Sequence, residues 1–65
     1  MTTIVIFCGE RHEYRSNEAA AHAIRKYQAG HDHQTAEQVI HAVQAAAKRA
    51  ADNGQRAEIM VTHLD

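Results

Sequence analysis

The chain has 65 residues, with seven Lys+Arg against eight Asp+Glu, six histidines, a single cysteine and no proline. This length allows one domain, residues 1–65, with a small core, and the lone cysteine excludes an intrachain disulfide. The balanced charge and an isoelectric point near 6.6 lack the strong basic footprint of a nucleic-acid binder.

The apolar fraction of 45% overstates the core, because thirteen of those residues are alanine. Ile, Leu, Val and Phe together number eleven, a share below the roughly 20% at which composition starts to resemble disordered chains. The near-zero charge and regular hydrophobic spacing argue for a folded domain with a thin core. Small scaffolds are usually supported by disulfides, metal or oligomerisation. With disulfides excluded, the remaining supports are metal, a second copy, a larger partner or idealised local structure. The N-terminus lacks the basic region of a secretory signal, and the apolar run Ile4 to Cys8 is far short of the roughly 20 residues that span a membrane. The expected location is cytoplasmic, with no membrane partner.

In chain order, Thr3 to Cys8 is β-branched and aromatic and predicts a strand. Both of its alternating sets are apolar, Ile4, Ile6 and Cys8 against Val5 and Phe7, which predicts a central strand. Gly9-Glu10-Arg11 reads as a turn, and His12 to Arg15 as a returning strand with Tyr14 inward and Glu13 and Arg15 outward. Ser16 or Asn17 can cap a helix running to about Ala29, with Ala20, Ala23, Ile24 and Tyr27 on one face and Gly30 as its stop. His31-Asp32-His33-Gln34 connects to a second helix, from about Ala36 to Asn53. Thr35 and Gln38 have the spacing of a capping box, and Ala36, Val39, Ile40, Val43, Ala47 and Ala50 form the apolar stripe. Ala57 to Leu64 returns to strand, with Ile59 and Val61 on one face and Met60 and Leu64 on the other.

The expected fold is a small two-layer α+β domain of order β-β-α-α-β. Its three-stranded sheet has order 2-1-3, with both helices on one face and the third strand parallel to the first. A purely antiparallel order 1-2-3 is the alternative. Two helices on one face leave the other open, carrying either Val5 and Phe7 or Ile4, Ile6 and Cys8, according to register. Exposed apolar patches on small proteins mark interfaces.

Histidine is the oddest feature. His31-x-His33 with Asp32 is a partial ligand set that His22 or His41 could join, but the spacing matches no strong metal motif. Protonating all six would add six positive charges and carry the net charge from −1 to +5, a route to pH-sensitive binding. The plainer reading, polar-face residues of helices and loops, is the stronger one, so His31 and His33 are only weak metal candidates and no cofactor is expected. Cys8 ends an apolar strand and reads as a small core residue rather than an activated nucleophile. Gly9 is a single glycine beside two acids, not a phosphate-cradling loop. Arg25-Lys26 and Lys48-Arg49 are basic pairs, but acids are interleaved among the basic residues.

No assembled catalytic set appears, and the expectation is a non-enzymatic protein–protein interaction module. It would be a cytoplasmic regulator or inhibitor in the style of the small accessory proteins of bacteria and their phages, binding and modulating a macromolecular partner, with a homodimer as a companion expectation. The candidate interface residues are Val5, Phe7, Tyr14, Arg15, Arg25, Lys26, Lys48 and Arg49. A dimeric nucleic-acid-binding regulator is the first alternative, with nucleic acid a disfavoured partner. A histidine-rich metal binder is the second.

Overall fold

The computed structural model describes residues 2–64. Three strands, β1 (Thr2–Phe7), β2 (Glu10–Tyr14) and β3 (Ile59–Leu64), and two helices, α1 (Asn17–Tyr27) and α2 (Ala36–Asp52), follow in the order β1-β2-α1-α2-β3. The sheet has order β2-β1-β3, so the strand apolar on both faces is central, as its composition requires.

Both neighbours of β1 are antiparallel to it, which corrects the expectation that the third strand runs parallel. In the fold, α1 starts beside Thr3, to which Asn17 is bonded, and ends with Tyr27 against Phe7 and Cys8. The middle of α2, at Ala42, Val43, Ala46 and Ala47, shares a hollow with Glu58 and Ile59. The chain therefore enters β3 at the end where β1 leaves, and Cys8 N–H donates to the Glu58 carbonyl at 2.8 Å.

The hairpin turn also differs from the sequence reading. It is the two-residue link Cys8-Gly9, at φ +49° and +88°, with Phe7 opposite Glu10. Two positive φ values mark the primed turn whose twist matches the flanking strands. Glycine meets the second position at no steric cost, but Cys8 occupies the first as a non-glycine residue. Cys8 is consequently an exposed turn residue and not the core residue expected.

Pairing fixes the faces, since residues directly opposite across an antiparallel pair lie on the same side. Thr3, Val5 and Phe7 share the helix-covered face with Tyr14, His12 and Glu10 and with His63, Val61 and Ile59. The core there comprises Val5, Ala20, Ala21, Ile24, Val39, Ile40, Val43 and Ile59, with Phe7, Tyr14, Ala36 and Val61 packed at its margin. Two of the eight are alanine, so the core is as thin as the composition implies.

The helices end where local chemistry dictates. Ser16 Oγ accepts from Ala19 N–H at 3.2 Å, and α1 closes at Tyr27 rather than Ala29, with Gly30 at φ +103° in the connector beyond. The capping box of α2 is complete: Thr35 Oγ1 accepts from Gln38 N–H at 3.2 Å, and Gln38 Oε1 accepts from Thr35 N–H at 2.9 Å. Among the described residues, no helix is long and apolar enough to cross a membrane.

Candidate functional site

The face of the sheet without helices carries Thr2, Ile4 and Ile6 from β1, Arg11 and Glu13 from β2, and Met60, Thr62 and Leu64 from β3. Ile4 sits in the central strand and is shielded by its neighbours, at 5% exposure. Met60 and Leu64, on an edge strand, remain 45% and 44% exposed. The result is an apolar band along β1 and β3, bordered on β2 by the exposed pair Arg11 and Glu13, 3.6 Å apart. An exposed pair of this kind contributes little to stability. Its two charges cancel, so this border does not favour a polyanion.

The interface candidates named from sequence scatter over the molecule. Val5 is fully buried under the helices, because register places the odd residues of β1 inward, and this corrects its assignment to an open face. Phe7 is half-buried on the same covered side, 4.9 Å in ring-centre separation from Tyr27 and 5.8 Å from His12. Tyr14 is half-buried against the core. Arg25 is half-buried and serves the connector: Nε donates to the His31 carbonyl at 3.3 Å, and Nη2 donates to the Gln34 carbonyl. Arg15, Lys26, Lys48 and Arg49 are exposed. Met60 and Leu64 were missed as contact residues, and Ile6 was placed on the open face only in the alternative register, although the alternation of both apolar strands contained the signal.

The histidines do not assemble. His31 Nδ1 and Nε2 lie 2.7 Å from Gln34 Oε1 and 3.2 Å from Gln28 Oε1, so both ring nitrogens are engaged within the connector. His33 lines an open hollow of about 900 Å³ with Glu37 and His41. Among the described residues, no three His, Cys, Asp or Glu side chains are grouped closely enough to hold a metal, and the weak candidates His31 and His33 are not joined by further ligands.

Cys8 shares a hydrogen bond with Tyr27 Oη at 2.7 Å. The Tyr27 hydroxyl is pushed up to about 12, first by that bond, then by lost solvation and by the charges of Cys8 and Glu58. The thiol's partner is thus a phenol rather than a histidine base, an arrangement without the base that activates a nucleophile.

At the other end of the sheet, Asn17 joins three elements. Its Oδ1 accepts from the Thr3 hydroxyl at 2.9 Å and from His63 Nε2 at 2.8 Å. Thr3 is fully buried, and this bond satisfies it. Against protein-family models, curated proteins and solved structures, the chain has no match.

Proposed function

We propose that the chain is a non-enzymatic protein-interaction module, an accessory regulator or inhibitor that seats an apolar surface of another protein on its open sheet face. The observation that carries this reading is the exposure of Met60 and Leu64 in line with Ile4 and Ile6 on the face without helices. Contiguous exposed apolar surface marks contact sites in small proteins. The near-neutral net charge and the self-cancelling Arg11–Glu13 border favour a protein surface over nucleic acid. Of the four residues in the two basic pairs, Arg25 is occupied with the connector, which further weakens the nucleic-acid reading.

The test uses the full chain immobilised and exposed to lysate of its source, beside the variants Met60→Lys and Leu64→Lys. Both positions are exposed, so the fold tolerates the added charge. The expected result is one protein retained by the wild type, lost by both variants, and rebound when purified. Retention that ignores both lysines overturns the reading. So does steeply salt-dependent retention of DNA or RNA in its place.

A further inference from the structure

The charges on the open sheet face are ordered. Arg11 lies opposite Ile6 and Glu13 lies opposite Ile4, so both charges share the side of the sheet that carries Met60 and Thr62. They flank His12, whose own side chain faces the helices, and His12 sits level with Val5 and Val61. Among the described residues, two of the three large apolar side chains left exposed, Met60 and Leu64, belong to this face. Both helices pack on the opposite face, which leaves a second sheet room to approach to the about 10 Å of packed sheets.

Symmetry restricts how two such faces can meet. A two-fold axis lying between two sheets runs either along the strands or across them. Along the strands, it sets β2 over the partner's β3 and buries Arg11 and Glu13 against Met60 and Thr62. Across the strands, it sets each strand over its own copy, running the opposite way. The charges then select the register. With the axis at the level of Val5, Arg11 lies over the partner's Glu13 and Glu13 over the partner's Arg11. Ile4 lies over the partner's Ile6, and Met60 over the partner's Thr62. Moving the axis by one residue sets Arg11 over itself or Glu13 over itself, and like charges in contact are repelled.

We infer that the open face is closed by the same face of a second copy, sheet against sheet about a two-fold axis at Val5, in a dimer that another protein must displace. The inference rests on the reading of this face as the docking surface and adds how access to it is controlled. The contact is isologous: one patch supplies the apolar band and both members of each ion pair. Its strength follows from its size. Three strands about 4.8 Å apart and six residues long, at about 3.3 Å per residue, present a footprint of about 300 Å² per copy. A standard interface buries about 800 Å² per partner. The dimer therefore belongs to the weak, reversible class, and dilution frees the face.

The experiment is sedimentation equilibrium of the full chain up to millimolar concentration, with methyl resonances followed over the same range. A monomer–dimer equilibrium is expected. The methyls of Ile6, Met60 and Leu64 should shift with concentration, and those of Val39 and Val43, buried under the helices, should not. Arg11→Glu and Glu13→Arg each place like charges in opposition and should each weaken the dimer about tenfold. Both side chains are more than half exposed, so neither change touches the core. An equimolar mixture of the Arg11→Glu chain with the Glu13→Arg chain should recover pairing, because every opposed charge again meets its opposite. A monomer at millimolar concentration overturns the inference. So does a dimer indifferent to both substitutions, a mixture that pairs no better than its components, or shifts confined to α2. The two readings fail separately. A monomeric chain that still retains a lysate protein lost with Met60→Lys overturns the dimer alone. A dimer with the expected charge dependence that retains no lysate protein overturns the docking reading alone.

Discussion

Asn17 carries more than its position in the first turn of a helix. Ser16 makes the cap, which frees the Asn17 side chain to bridge β1 and β3 through Thr3 and His63. Asn17→Ala leaves the fully buried Thr3 hydroxyl without its partner, and a buried unsatisfied polar group costs about 1–3 kcal/mol. Urea unfolding should show that loss, and Thr3→Val in the same background should recover much of it by removing the stranded hydroxyl. A loss below a few tenths of a kcal/mol would mean that Asn17 does not hold Thr3. Tyr27 offers a second test at this scale. Its hydroxyl ionises near 12 in the folded chain against 10 unfolded, so the folded state holds the proton more tightly. The resulting stabilisation is complete below pH 10 and is lost as pH rises from 10 through about 12. In a Tyr14→Phe background, the ultraviolet absorbance of tyrosinate reports Tyr27 alone. Its midpoint should lie near 12 and fall toward 10 when Cys8→Ala removes the leading cause.

At the scale of elements, the helices were the most legible part of the sequence, because their signals are local. The Thr35–Gln38 box sits where the spacing predicts, and α2 runs from Ala36 to Asp52 against an expected Ala36 to Asn53. Alternation was equally informative for β3, where Ile59 and Val61 face the core and Met60 and Leu64 face away. What the sequence left open was long-range. Whether Val5 or Ile4 turns toward the helices depends on one residue of register, and no local signal sets it. The direction of β3 depends on where α2 delivers the chain, which is a property of the packed helices. The Cys8-Gly9 turn was misplaced because a cysteine at positive φ runs against the residue preferences of turns. The burden on the capping box can be measured. Thr35→Ala removes the side-chain acceptor of Gln38 N–H and should cost about 1 kcal/mol. In a domain of this size that shifts the melting temperature by roughly 4–8 °C. A shift under 1 °C would mean that tertiary packing alone holds the start of α2.

For the whole molecule, the controlling fact is how little side-chain mass closes the core. Ile24, Val5 and Val39 are its largest fully buried apolar side chains, and alanines fill the space around them. A core of this kind supplies only about 3–5 kcal/mol in a domain below roughly 70 residues. Ile24→Ala removes fully buried volume from the core, at a cost of about 2–5 kcal/mol, comparable to the whole reserve. The variant should be largely unfolded at room temperature by circular dichroism, whereas Ile24→Val should fold and lose about 0.5–1.5 kcal/mol.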